Sequence, residues 1–333
     1  MKYLITGAAG FIGSSLTREL VNNGQDVLTI DNLNNYYSPR LKEKRLKEFG
    51  IGSKCNFINT DICNKEIIRK TIKEFEPDQI IHLAAQAGVR LPSTQNQKYI
   101  MSNIVGFENI LSASIEFGIS DLLYASSSSV YGNESLSPYS EKEISLSPTS
   151  FYGFTKLVNE NMIKYYSKSS KTRVRGLRFF TVYGPWGRPD MAYFRLCSQV
   201  VYGTKFDLYG DGTIIRDFTF IDDVTKAIIS LAENLNKQVW GFNDVVNIGG
   251  GNPRSMNEMI DIAFSMQNKT SHVTRKAENP LDVRSTMAST EYLQSLIGYI
   301  PDTKLEVGLK KVFQWINEET TKKEIEEWIN SCP

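Results

Sequence analysis

Three glycines, Gly7, Gly10 and Gly13, are spaced GxxGxxG between a short apolar segment, KYLIT at residues 2–6, and an amphipathic segment from Phe11 to Asn23. That spacing suits a strand that runs straight into a helix. A side chain at Gly7 would crowd the tight turn, one at Gly10 would keep the backbone from a pyrophosphate, and one at Gly13 would part helix from sheet. The first turn of such a helix presents unpaired N–H groups to phosphate. The next apolar run, DVLTI, closes on Asp31, where a carboxylate can accept from both hydroxyls of an adenosine ribose. A 2′-phosphate there would meet like charge, and Asn32 offers it no cation, so the pair points to NAD rather than NADP. A third run, residues 56–60, ends at Asp61, for which two roles stand open: contact with the adenine amino group, or a solvated strand end.

Strand-like and helical segments continue to alternate at short intervals to about residue 180. Helices are expected at 41–49, 65–75, 99–117 and 151–168, and strands at 79–83, 122–125 and 174–180. The pattern calls for an α/β fold, a doubly wound, mostly parallel Rossmann sheet with helices on both faces. Beyond Tyr183 the rhythm loosens. Helices are expected at 191–202, 255–267 and 305–316, with a charged one at 322–328, and Asp222 and Asp223 are placed to cap another that runs to Leu235. The expected division is a dinucleotide domain over 1–183 and a smaller mixed α/β substrate domain over 184–333. Segments near 214–250 return to the first, with 245–248 rejoining its sheet. Trp240, Trp315 and Trp328 read as packing groups, Trp328 half exposed near the end.

Tyr152 and Lys156 form a YxxxK pair at the start of a helix and so share one face. A phenol of intrinsic pKa about 10 is a poor base near neutrality, but an ammonium beside it and a positive nicotinamide both favour the phenolate. The serine run Ser126–Ser129 closes a strand of the same domain. Composition excludes other chemistries. Thirty-eight basic and 37 acidic side chains nearly cancel, which gives no reason to expect a nucleic-acid partner. No stretch approaches the roughly 18 apolar residues of a membrane span. Two histidines and four dispersed cysteines supply neither a zinc site nor a disulfide framework, so no metal and a cytoplasmic setting are expected.

TGAAGFIG, HLAAQAGVR, YASSSSVYG, SFYGFTKLVNE, RFFTVYGPWGRPDM and RDFTFIDD together resemble the extended short-chain dehydrogenase/reductases, and within them the UDP-glucuronate 4-epimerases. The resemblance implies tightly held NAD, a UDP-sugar substrate and a homodimer built on a four-helix interface. It implies Ser127, Tyr152 and Lys156 as catalytic residues. It adds cofactor contacts at Phe11, Ile12, Asn32, Asp61, Ile62, Leu83, Ala84, Ala85 and Asn103, and substrate or diphosphate contacts at Arg90, Arg216 and Asn247. Arg216 would serve equally as a surface arginine. Tyr209 and Tyr193 read as aromatics that shape the pocket or core. Thr181, where galactose epimerases usually carry asparagine, leans toward a uronic acid.

Dehydratases of this family carry an Asp-Glu pair just after the catalytic hydroxyl residue, and its decarboxylases place a glutamate there. This chain has Ser128 and Ser129, which disfavours dehydration and, less firmly, decarboxylation. A glucuronate oxidised at C4 is a β-keto acid and loses CO2 unless its carboxylate is held. Ser127–Ser129 can hold it, with Arg188 as a charge partner; for Arg188 the other reading is a loop-locking ion pair with Asp190. The expected activity is interconversion of UDP-glucuronate and UDP-galacturonate. The alternatives are a UDP-glucose or UDP-N-acetylglucosamine 4-epimerase, a UDP-glucuronate decarboxylase, and a non-catalytic NAD-binding regulator.

Overall fold

The computed structural model describes residues 1–278 and 283–333. β1 (Lys2–Thr6), α1 (Phe11–Asn22), β2 (Asp26–Asp31), α2 (Pro39–Glu48), β3 (Asn56–Asn59), α3 (Lys65–Phe75) and β4 (Gln79–His82) alternate in order. A long helical segment follows, made of α4 (Asn96–Tyr99), a π-helical stretch (Ile100–Gly106) and α5 (Phe107–Glu116). After it come β5 (Asp121–Ser127), α6 (Phe151–Tyr166) and β6 (Arg173–Phe179). The remainder carries β7 (Thr181–Tyr183), α7 (Ala192–Tyr202), β8 (Asp207–Tyr209), β9 (Ile215–Phe220), α8 (Ile221–Leu235), β10 (Asn243–Ile248), β11 (Pro253–Ser255) and α9 (Met256–Ser265). It closes with β12 (Thr274–Lys276), α10 (Glu291–Ile297), α11 (Leu305–Glu319) and α12 (Lys322–Asn330).

A seven-stranded sheet in the order β10-β6-β5-β4-β1-β2-β3, parallel throughout, forms the centre. Side chains of β1 alternate between two cores, as a strand buried on both faces requires. Tyr3 and Ile5 pack with Leu16 and Leu20 of α1 and Ile228 and Leu231 of α8. Leu4 packs on the opposite face with Ile68 and Ile72 of α3 and Ile110 and Leu111 of α5. The strand order reverses between β1 and β4, and the crevice at the C-terminal ends there is where such sheets take ligands. A three-stranded sheet, β11-β9-β7, and the pair β12-β8 complete the fold, and residues of β7, β8 and β9 border that crevice.

Several elements depart from their expected form. α2 begins at Pro39 rather than Leu41, because proline fits the first helical turn, where its missing N–H costs nothing. β3 stops at Asn59, which leaves Asp61 in the following turn. Asp222 and Asp223 lie in the first turn of α8, with Phe220 at its N-cap; Asp222 pairs with Lys311, and Asp223 accepts from the Thr303 N–H. Trp328 is buried at 2% exposure beside Trp315, whereas Trp240 is 61% exposed under the Arg173 guanidinium.

Candidate active site

The crevice is a cavity of about 800 Å³. At one end the turn between β1 and α1 is drawn tightly onto the sheet. Gly7 has φ +76°, its N–H donates to the Ile30 carbonyl, and a β-carbon on it would lie 2.6 Å from the Ala84 nitrogen. One on Gly13 would overlap the Gly7 carbonyl. The first intrahelical bond of α1 runs from the Ser14 N–H to the Gly10 carbonyl, so the N–H groups of Phe11, Ile12 and Gly13 lack intrahelical partners and those residues line the cavity. The Asp31 carboxylate closes the turn from the side. It accepts from the Ala9 N–H at 3.0 Å and the Leu33 N–H at 2.8 Å.

At the other end β5 and α6 bring three chemical groups together. Ser127 ends β5, and its hydroxyl accepts from the Ser129 N–H at 3.1 Å. Ser150 caps α6 by accepting from the Gly153 N–H, which fixes Tyr152 in the first turn. Gly153 permits this approach, since a β-carbon there would lie 2.5 Å from the Ser129 carbonyl oxygen. One turn on, the Lys156 ammonium donates to the Ala125 carbonyl at 2.8 Å and lies 5.8 Å from the centre of the Tyr152 ring.

Burial raises the Tyr152 phenol above its ordinary value, against the lowering influence of Arg188 and of a hydrogen bond with Ser127. Burial also lowers Lys156 to about 7. The expected help to Tyr152 from a lysine charge is therefore weakened by desolvation of that lysine, and the positive side chain acting on the phenol is Arg188. Arg188 forms a forked pair with Asp190, at 3.0 and 2.5 Å, and the Tyr36 hydroxyl donates to the same carboxylate at 3.1 Å. Burial would raise Asp190, but Arg188 and Tyr36 together hold it below the usual carboxylate range.

Most residues singled out in the sequence border this one cavity. Besides those already placed, Asn32, Ile62, Leu83, Ala84 and Ala85 lie toward the glycine turn. Arg90, Ser128, Ser129, Thr181, Tyr209 and Arg216 line the same space, as does Tyr193, and the Arg90 guanidinium stands 5.0 Å over the Tyr209 ring.

Three expected contact residues are placed otherwise. The Asp61 carboxylate accepts from the Cys63 N–H and the Asn32 amide, both local partners, and does not border the cavity. Asn103 is buried in the π-helical stretch, where its amide spans Gln86 and Thr155 and holds the loop after β4 from behind. Asn247 is fully buried on β10, bonded to the Tyr131 hydroxyl and the Tyr139 carbonyl. Conversely, Tyr36 and Lys42, which the sequence did not single out, line the cavity. The doubled tyrosine in NNYYS, among polar neighbours, was the available signal.

No group of histidines, cysteines and carboxylates able to hold a metal occurs among the described residues, and no helix there is long and apolar enough to cross a membrane.

The comparisons agree with this architecture. The sequence profile of the NAD dependent epimerase/dehydratase family matches residues 3–249. Protein CapI of Staphylococcus aureus is 40% identical over 332 residues, covering 95% of this chain and 98% of that one. UDP-glucuronate 4-epimerase 4 of Arabidopsis thaliana is 36% identical, covering 94% and 74%. The crystal structure of UDP-glucuronic acid 4-epimerase from Bacillus cereus, in complex with UDP-glucuronic acid and NAD, superposes with a TM-score of 0.87 at 33% identity, over 96% of this chain and all of that one. By profile, by sequence along nearly its whole length and by fold, the chain belongs to the NAD-dependent epimerase/dehydratase family.

Proposed function

We propose that the chain is an NAD-dependent 4-epimerase of UDP-sugars, interconverting UDP-glucuronate and UDP-galacturonate. The observation that carries this reading is the convergence of Ser127, Tyr152 and Lys156 in the same cavity as the tight glycine turn at the start of α1. The turn at Gly7, Gly10 and Gly13 fits a dinucleotide pyrophosphate, Asp31 its adenosine ribose, and Lys156 the ribose beside the nicotinamide. Residues 1–183 thus hold the cofactor and contribute Arg90 to the sugar nucleotide, and 184–333 adds Tyr209 and Arg216 at its nucleotide end.

Bound NAD supplies a hydride acceptor that becomes the donor on return. Around it the protein moves one proton. The Tyr152 oxygen takes the proton of the sugar C4 hydroxyl, and the Ser127 hydroxyl donates to that oxygen and steadies the charge developing on it. The resulting 4-keto sugar turns in the cavity, and Tyr152 returns the proton to the same oxygen after the opposite face is reduced. Ser127, Ser128 and Ser129 would hold the C6 carboxylate through hydroxyl and backbone donors, with Arg188 as a charge partner, which opposes loss of CO2. Ser128 and Ser129 stand where a dehydratase or decarboxylase would need an acid.

We also place the enzyme in the cytoplasm as a homodimer. Met101 and Val105 on the π-helical stretch and Phe154 and Tyr165 on α6 are exposed apolar side chains on neighbouring helices, which supports a four-helix contact. Sedimentation of the purified protein as a monomer would remove the dimer. The activity is tested by incubating the protein with NAD and UDP-glucuronate and separating the products by chromatography. Accumulation of UDP-galacturonate is the expected result. A UDP-pentose with CO2, turnover confined to UDP-glucose, or no turnover at all would overturn it.

A further inference from the structure

Arg45 of α2 is fully buried, yet among the described residues no carboxylate pairs with it. Its guanidinium is spent on the main chain of two distant loops. Nε donates to the Trp186 carbonyl at 2.9 Å and one terminal nitrogen to the Gly187 carbonyl at 2.9 Å. The other donates to the Ala9 carbonyl at 3.0 Å and to the Tyr37 hydroxyl at 2.6 Å. A buried cation is tolerated only when its donors are satisfied, and here carbonyl dipoles and the Tyr37 ring, 5.3 Å away, do that in place of a carboxylate. A planar fork of donors can reach three carbonyls at once, whereas a lysine in the same place is a single point of charge.

The loops so joined both border the site, one through the glycine turn and the other through Arg188 and Asp190. Ala9 belongs to the glycine turn, and its N–H is held by Asp31 while its carbonyl is held by Arg45. Trp186 and Gly187 lead directly into Arg188. Trp186 carries φ +62°, a left-handed conformation uncommon for a bulky residue, and its neighbour cannot carry a side chain because a β-carbon on Gly187 would collide with the Tyr193 hydroxyl. Trp186 is also packed edge-on against Phe49 and tilted on Trp315, so the segment has one well-defined placement. Arg45 therefore ties the glycine turn, through the Ala9 carbonyl, to the peptides that lead into Arg188.

We propose that Arg45 is a positioning residue that couples the two ends of the cavity, so that the dinucleotide and the sugar nucleotide each tighten the other's binding. The inference rests on the dinucleotide and UDP-sugar reading given above. Coupling of this kind is reciprocal and commonly amounts to about 5- to 150-fold in affinity.

The test uses the full chain loaded with radiolabelled NAD and chased with unlabelled NAD, with and without UDP. In the wild type, UDP is expected to slow release of the label by about five-fold or more, in keeping with that range. Arg45→Lys should cut the effect of UDP to less than about two-fold and raise KM for UDP-glucuronate more than it lowers kcat. Tyr37→Phe, which spares all three carbonyl bonds, should keep most of the wild-type slowing. If Arg45→Lys does not fold, Arg45→Gln, whose amide can serve only one loop, takes its place with the same expected loss. The proposal is overturned if UDP leaves release from the wild type unchanged, if the Arg45 variant still shows full slowing, or if Tyr37→Phe loses it equally. A wild type that holds no label at all would sink the dinucleotide reading itself, which separates the two failures.

Discussion

The Lys156 ammonium lies 5.8 Å from the centre of the Tyr152 ring and spends one N–H on the Ala125 carbonyl of the adjoining strand. The lysine is thus tied to the sheet on one side of the phenol and does not bond the phenol oxygen. Its proposed task is to hold a cofactor ribose, while Tyr152 exchanges the proton. Replacing Tyr152 with phenylalanine keeps the ring and removes only the exchanging oxygen. Turnover of UDP-glucuronate should fall by about 10²–10⁴-fold, the usual worth of a general base. Retention of NAD, followed by absorbance of the purified protein, should be unchanged.

Burial of Lys156 also has a consequence for stability. Its pKa is lowered to about 7 in the folded chain, against an ordinary value near 10.5 that the unfolded chain recovers. Between these values the unfolded state binds more protons, so this group makes stability rise with pH across about 7 to 10.5 and imposes its full cost below about 7. Lys156→Met removes that cost. Its melting temperature should exceed the wild type's at pH 6, with the difference shrinking steadily toward pH 10. A constant offset across the range would show that desolvation of the lysine is not the cause.

The contact between α6 and the serine turn gives a third expectation. In Gly153→Ala the new methyl meets the Ser129 backbone carbonyl oxygen at 2.5 Å, so the turn or the helix must move. Overpacking of this kind costs about 1–3 kcal/mol. Because Ser127 and Tyr152 sit on the two sides of that contact, kcat should fall by about 10²-fold, as it does when reacting groups are displaced by an ångström. KM for the nucleotide part, read from UDP inhibition, should stay within about two-fold. An alanine variant with wild-type kcat would mean that the spacing is not critical.

Much of this site was legible in the sequence because its framework is local. The glycine spacing, the strand-end Asp31 and the YxxxK pair each depend on a single turn or helix, and α3 forms over 65–75 as its periodicity requires. What was not legible depends on partners far along the chain. Asn103 sits in a helical stretch and Asn247 near the end of β10, but both amides are consumed by buried groups, some of them more than a hundred residues away. The π-helical stretch that carries Asn103 has no compositional mark. Arg45 reads as one more basic residue in PRLKEKRLKE, since nothing local shows that its partners are carbonyls near residue 186. The exposure of Trp240 and the burial of Trp328 follow from packing across elements in the same way.

Asp31 holds the glycine turn through Ala9 as well as facing the cavity, so a substitution there should act on two levels. Asp31→Asn keeps an acceptor for the Ala9 N–H and removes the charge that repels a 2′-phosphate. The variant should bind NAD about 10-fold more weakly, about the worth of one charge-assisted hydrogen bond. Its preference for NAD over NADP should shrink by more than that factor, measured by titrating both cofactors into the same preparation. Weakened NAD binding with unchanged preference would reduce Asp31 to a loop-holding role.

Arg188 decides how far the site is specific for a uronic acid. It is locked to Asp190 by two hydrogen bonds, and Tyr36 shares the same carboxylate, so one of its roles is to fix the loop. It also borders the cavity and acts on Tyr152, which places its charge within reach of a bound sugar. The two roles differ in what they predict across substrates. If Arg188 only locks the loop, Arg188→Ala and Asp190→Asn should harm turnover of UDP-glucuronate and UDP-glucose alike. If its charge also partners the C6 carboxylate, Arg188→Ala should cost UDP-glucuronate about 10- to 100-fold more in kcat/KM than UDP-glucose, about 1.4–2.7 kcal/mol for one charged contact. Asp190→Asn, which keeps the cation, should then harm both substrates to a similar degree. The same Arg188→Ala protein should release more CO2 from UDP-glucuronate per turnover, because a 4-keto uronic acid whose carboxylate is held less firmly decarboxylates more readily. Equal losses on both sugars, with no added CO2, would leave the hydroxyl and backbone donors of Ser127–Ser129 as the whole of the carboxylate site.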